Sequence, residues 1–164
     1  MTKFLDFCSV FKRRANAAAF INGSPDYPRI KGRLLFYETT KGIIIRTEIT
    51  GLPKGKNQCD SPIFAFHIHS GNECSGNEKD PFANAKTHYN PENCPHPYHA
   101  GDLPPLFGAD GVAFSAFLTD RFTIGEILEK TVIIHSKPDD FTTQPSGNSG
   151  EKIACGVIKP VSKY

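Results

Sequence analysis

The chain has no tryptophan and a single methionine, and nowhere does it run to about 18 consecutive apolar residues. A helix that crosses a membrane needs such a run, so a helical membrane span is excluded. Neither sign of charge dominates: 19 basic against 17 acidic side chains leave a net charge of +2. That balance does not fit nucleic acid or an anionic membrane as the main partner, and any attraction of a charged ligand has to be local. CxxC pairs are missing, and the five cysteines are odd in number. Neither a cysteine-based zinc finger nor a small disulfide scaffold accounts for them. Internal repeats and low-complexity tracts are also lacking. The basic cluster Lys12, Arg13 and Arg14 comes after the apolar residues Phe4, Phe7 and Phe11. This is the reverse of the order in a secretory signal peptide, and the expectation is a soluble cytoplasmic protein.

What is present points to strands. Thirteen Phe, 14 Gly and 13 Pro in 164 residues suit short β-segments joined by many turns better than a bundle built on Leu and Ala, and the length suits one domain. Residues 1–16 read as an N-terminal extension. Phe4, Phe7, Cys8 and Phe11 have helix-like spacing there, which allows a short amphipathic surface helix or a frayed leader; the frayed leader is the simpler expectation. From residue 17 to 164 the pattern changes to β-type runs at 18–21, 30–37, 43–49, 63–69, 112–118, 131–135 and 153–158. Turn signals such as Asn22-Gly23-Ser24-Pro25, Lys41-Gly42 and Asp110-Gly111 separate several of them, so an antiparallel sandwich or barrel of seven or eight strands is expected. Thr123 with Glu126 three residues on has the form of a capping box before one helical turn. Two stretches without strand character, 70–108 and 136–151, are too long to be idle connections and call for a function or a ligand that orders them.

The histidines supply a candidate. In Phe64-Ala65-Phe66-His67-Ile68-His69, strand alternation sends Phe64, Phe66 and Ile68 to one face and His67 and His69 to the other. His135 closes a run in which Val132 and Ile134 take the opposite face. The 70–108 loop adds His88, His96, His99 and Asp102 within THYNPENCPHPYHAGD. Nitrogen and carboxylate donors at this spacing suit a closed tetrahedral zinc site. His67, His69 and His135, with no sulfur donor beside them, suit Cu(II) in a tetragonal nitrogen field, for which His88 can provide the fourth nitrogen if its ring serves both ions. A lone histidine, or a single HxH, is usually just a hydrogen-bonded residue; here no histidine of the chain falls outside the pattern.

The motifs FHIH, THYNP, HAGD, IIHSKPDD and the closing GNSGEKIACGVI, taken in order, resemble the copper, zinc superoxide dismutase family over residues 17–158. The resemblance implies an all-β, eight-stranded Greek-key antiparallel β-sandwich or barrel, immunoglobulin-like, with two long functional loops. It implies copper held by His67, His69, His88 and His135, zinc held by His88, His96, His99 and Asp102, and Asp139 linking His67 to His96 from outside. Cys74 and Cys155 match the family's intramolecular disulfide. The implied activity is conversion of superoxide into dioxygen and hydrogen peroxide by alternate reduction and reoxidation of copper, with His88 as the proton carrier and no nucleic-acid or membrane partner; a homodimer is among the assemblies it allows.

The chain departs from the family pattern in several places. Only Pro97 and Tyr98 lie between His96 and His99, and the stretch from His135 to Lys152 is short. Lys152 stands where the family has an active-site arginine; it keeps the positive charge and loses the planar fork of donors. With Lys137 it is expected to supply the positive field at the copper mouth, and Ser146 falls near a channel-lining threonine. Cys59 and Cys94 have no family counterpart and are equally open to a second bridge or to free thiols, with Cys8 left over. Two rivals stay in view: a copper store or zinc-stabilised sandwich without redox activity, and a zinc hydrolase. The full set of four copper ligands disfavours the first, and the closed set of zinc ligands disfavours the second.

Overall fold

A computed structural model describes residues 6–57, 59 and 62–162. It opens with a short helix, α1 (Phe7–Phe11), capped by Asp6. The strands are β1 (Ala17–Gly23), β2 (Lys31–Thr39), β3 (Gly42–Thr50), β4 (Ile63–Phe64), β5 (Phe66–His69), β6 (Leu106–Phe107), β7 (Val112–Thr119), β8 (Thr131–His135) and β9 (Lys152–Pro160), with a second helical turn, α2 (Ile124–Ile127), before β8. Seven strands form one antiparallel sheet in the order β5-β8-β9-β1-β2-β3-β7, and β4 pairs with β6 in a small ladder of its own. β4 runs directly into β5 at one edge of the sheet and β6 packs against β7 at the other, so the small ladder spans the gap and closes the curl. The chain reaches β4 and β5 by crossing from β3 and returns through β6 to β7, in the manner of a Greek key.

Among the described residues the strands number nine where eight were expected. The run 63–69 divides at Ala65, whose N–H turns away to donate to the Lys137 carbonyl at 2.8 Å, and β6 is a two-residue strand inside the long loop. α2 carries the capping box, with Thr123 and Glu126 satisfying each other's backbone N–H.

Burial follows from alternation. Leu34 and Phe36 of β2, Ile43, Ile45 and Ile49 of β3, Phe66 and Ile68 of β5, and Val132 and Ile134 of β8 meet inside the curl. Fully burying a side chain of this size contributes roughly 1.5–3 kcal/mol. The apolar run Ile43-Ile44-Ile45 does not alternate because its outer face is covered too: Tyr37 and Ile44 are buried under Val10 of α1. The N-terminal extension is therefore a docked helix and not a frayed leader over these residues. Val10 is the residue it buries, whereas Phe7 and Cys8 are exposed, and Phe4 lies outside the described residues. No helix is long and apolar enough to cross a membrane among the described residues.

Cys74 and Cys155 form a disulfide with an S–S distance of 2.03 Å that ties the 70–108 loop to β9. Cys155 packs there with Phe82, Ala85 and Ile133 on the outside of the sheet. The thiols of Cys8, Cys59 and Cys94 are all free, so the alternative of a Cys59–Cys94 bridge is set aside. Cys94 is instead held by Asn90, whose side chain bonds both its N–H and its carbonyl. Closing a separation of 81 residues constrains the unfolded chain by about 4.5 kcal/mol in the chain-entropy account. Cys155→Ser is expected to lower the unfolding free energy by up to that amount, read from denaturant curves of the oxidised parent and the variant; a loss under about 1 kcal/mol shows that the bond adds little to this fold.

Candidate metal centre

β5 and β8 bring the first three histidines together. They pair in register, Phe66 against Ile134 and His67 against Ile133, so His67, His69 and His135 stand on the outer side while their neighbours fill the core. The loop then lies along β5 almost as another strand. His88 sits opposite His69 and Asp102 opposite His67 as isolated bridges, and Tyr89 N–H donates to the Ile68 carbonyl while Ile68 N–H donates to that of Gly101, both at 2.8 Å. Gly101 is needed at this approach, because a Cβ there would lie 2.3 Å from the Ile68 oxygen.

All six histidines and Asp102 are buried. They form two groups that share His88: His67, His69, His88 and His135, and His88, His96, His99 and Asp102, with one donor atom from each member within 4.8 Å of the others. Every residue expected in either ligand set is thus present in it.

The hydrogen bonds around the cluster decide which ring nitrogen faces inward. Asp139, an acceptor only, takes a bond from His67 Nε2 on Oδ2 and from His96 Nε2 on Oδ1, each at 2.8 Å. A neutral imidazole that donates from one nitrogen carries a lone pair on the other, so Nδ1 of both rings is the ligand atom. His69 Nδ1 donates to the Lys86 carbonyl at 2.8 Å and His135 Nδ1 to that of Gly150 at 3.3 Å, which leaves Nε2 of each for the cluster; these two nitrogens come within 3.3 Å of each other. His88 Nδ1 lies 2.7 Å from Asp102 Oδ1 and 3.4 Å from His99 Nδ1, within the second group, and its Nε2 faces the first.

Three of these inward atoms, His67 Nδ1, His88 Nε2 and His96 Nδ1, are buried without a hydrogen-bond partner. His96 Nδ1 is 3.1 Å from Asp102 Oδ2 but without the geometry of a bond. Orphaned lone pairs are costly in an apolar interior. Converging on common points, they are what a pair of bound cations would satisfy, so the donors fit copper in the all-nitrogen group and zinc in the group that includes a carboxylate.

Electrostatics keep the donors available. Burial holds His67, His69 and His135 below the ordinary imidazole range, His135 at about 3, so these rings stay neutral with lone pairs open. Burial disfavours the charged form of Asp139, but the bonds from His67, the Phe141 backbone N–H and His96 outweigh it and hold the carboxyl at about 2.

Supports that sequence patterning did not disclose complete the centre. Arg121 donates from Nη1 to the carbonyls of Pro97, His99 and Asp102. Gln144 accepts from His96 N–H at 3.0 Å and donates to its carbonyl at 2.7 Å, as a paired strand would. Gly147, at φ +67°, makes room for the carboxylate bridge: a Cβ there would fall 1.9 Å from Asp139 Oδ1. These side chains grip distant backbone, which leaves no periodic trace in a sequence.

The cluster opens on one side into a cavity of about 820 Å³ lined by His69, His88, His99 and His135, with Lys152 and Ser146 in its wall. Lys137 is exposed and does not line that wall; its main-chain carbonyl accepts the Ala65 N–H. Lys79 and Lys86 line the cavity in its place.

Residues 30–158 match the family model described as copper/zinc superoxide dismutase. Among curated relatives, the chain is 34% identical over 144 residues to the copper-zinc superoxide dismutase 2 of Aquifex aeolicus, covering 78% of each chain. It is 32% identical over 136 residues to the copper-zinc superoxide dismutase of Legionella pneumophila, covering 78% of this chain and 77% of the relative, and 33% identical over 142 residues to that of Escherichia coli K12, covering 78% of each.

Asp139→Asn is expected to weaken zinc binding by about 10- to 100-fold, because the amide cannot accept from both rings as the carboxylate does. Competition against a chromogenic chelator measures it, and an unchanged affinity removes Asp139 from the support of the site.

Proposed function

This chain belongs to the copper/zinc superoxide dismutase family, and from that premise we propose how its own residues divide the work. It is an oxidoreductase that acts on superoxide. His67, His69, His88 and His135 hold copper through Nδ1 of the first and Nε2 of the other three; His88, His96, His99 and Asp102 hold zinc. Bound copper supplies the one-electron chemistry by which one superoxide is oxidised to dioxygen and the next is reduced to hydrogen peroxide.

The observation that carries this reading is the accounting of ring nitrogens. In four of the six imidazoles, those of His67, His69, His96 and His135, a hydrogen bond to an acceptor outside the cluster assigns one nitrogen and leaves the other for an ion, and His99 turns Nδ1 toward His88 and Asp102. On His88 both nitrogens belong to the cluster, Nδ1 in the group with Asp102 and Nε2 in the group with His67. Nε2 of His88 is accordingly the atom that holds the proton and passes it to the forming peroxide. His96, His99 and Asp102 keep the ring aimed while that proton moves.

Lys152 is the docking cation. β9 places it across the ladder from His135, at the bulge between Ile134 and His135, so the ammonium reaches the cavity beside the copper group. A lysine there attracts the anion as a point charge, without the bidentate grip of an arginine.

Two results test the reading. Metal-free protein reconstituted with copper and zinc is expected to dismute superoxide and to lose that activity to cyanide; tight binding of both ions with no activity favours a copper store instead. Lys152→Glu is expected to slow turnover at low ionic strength at least tenfold and to make it rise with added salt. A variant with parental rate and salt response eliminates Lys152 as the docking cation.

A further inference from the structure

Lysine is a poor fixed point. Its charge sits at the end of a flexible four-carbon stem, and nothing in the side chain itself sets its direction. The opposite wall of the cavity supplies the restraint here. Lys152 Nζ donates to Asp80 Oδ2 at 2.7 Å and to the Phe82 carbonyl at 3.1 Å, and the lysine side chain is only 16% exposed. Two of its three N–H donors are thereby used, and the third has no partner among the described residues.

Asp80 is held as firmly as the group it holds. Its Oδ1 accepts from Phe82 N–H at 3.0 Å, and its own N–H donates to Asn77 Oδ1 at 3.1 Å. The chain passes so close at Gly76 that a Cβ there would lie 2.1 Å from the Asp80 carbonyl oxygen. The carboxylate is therefore presented in one direction. Its charge also matters to the cavity as a whole. Four carboxylates (Asp26, Glu78, Asp80, Glu151) line it against three ammonium groups (Lys79, Lys86, Lys152), so the protein wall does not form a positive funnel.

We propose that Asp80 is the positioning residue for Lys152: it fixes the ammonium beside the copper group with one N–H toward the cavity, and it cancels most of that ammonium's field beyond contact range. Opposite charges 2.7 Å apart act at a distance as a dipole, whose field decays faster than that of a lone charge, whereas an anion touching Nζ is nearer to the cation than to the carboxylate. This channel thus takes superoxide by donation at short range and gives up steering from afar. The inference rests on Lys152 as the docking cation.

The test uses Asp80→Asn, Asp80→Ala and Lys152→Gln in the protein loaded with both metals. Azide, a small anionic copper ligand, is titrated by visible absorption, and kcat/KM is measured from about 10 to 200 mM ionic strength, a range over which screening of exposed charges becomes strong. Asn keeps an oxygen for Nζ and removes the opposing charge. Asp80→Asn is expected to bind azide and to turn over about two- to fivefold better than the parent at the low end, with the gain gone at the high end. Asp80→Ala, which also removes the acceptor, is expected to show the steeper salt dependence without the tighter azide binding.

An Asp80→Asn protein identical to the parent at every ionic strength overturns the proposal, and equal azide binding by the Asn and Ala variants overturns the positioning role. Lys152→Gln separates this inference from the reading beneath it. Weakened azide binding there beside a silent Asp80→Asn sinks Asp80 alone, whereas parental behaviour in Lys152→Gln sinks both.

Discussion

A single carboxylate sets the directions of two imidazoles. Asp139 takes a hydrogen bond on each oxygen, from His67 and from His96, and so forces Nδ1 of each ring toward the cluster. The Lys86 and Gly150 carbonyls do the same for His69 and His135 from other sides. Acceptors placed outside the cluster thus decide what points inside. Seven ionisable ligands are buried together, an arrangement that an apolar interior penalises unless each polar atom has a partner or an ion to face. The fold satisfies the outward atoms of His67, His69, His96 and His135 with its own groups and leaves His67 Nδ1, His88 Nε2 and His96 Nδ1 without a partner inside, and that division is what makes the cavity floor a metal centre.

The sheet and the loops contribute differently to this. β5 and β8 provide rigid alternation, which puts histidine on one face and core on the other. The long loop takes its shape by bridging to β5 at His69 and His67, and side chains acting as substitute backbone keep it there: Arg121 on three carbonyls, Gln144 on both polar groups of His96, and Asn90 on Cys94. Ligand geometry is therefore inherited from hydrogen-bonded main chain, the usual requirement for a centre that must be preorganised.

Much of this was legible beforehand, for physical reasons. Seven β-runs declared themselves through alternation, and FHIH carried both the strand and its two faces. The capping box at Thr123 was readable because its partners are three residues apart. The ligand sets were readable from donor type and spacing, and resemblance to a family agreed with them; the Cys74–Cys155 pair came from the resemblance alone. The missed features share one character: they are contacts between distant segments with no local signature. The break at Ala65 comes from a loop carbonyl, α1 docks through Val10 and Phe11 while Phe7 stays exposed, and Asp80, Arg121 and Gln144 serve backbone or a partner far along the chain. Lys79 and Lys86, which line the cavity beside Lys152, likewise carry no local signature.

The segment that begins at Cys74 and runs through Asp80 and Phe82 is fastened to β9 twice within four residues of that strand, covalently at Cys155 and ionically at Lys152. The two fastenings answer to unrelated conditions: electron donors act on one, and dissolved ions weaken the other. Neither a change of redox poise nor a change of salinity alone strips this wall from the strand, so the mouth of the enzyme is buffered against fluctuation in either.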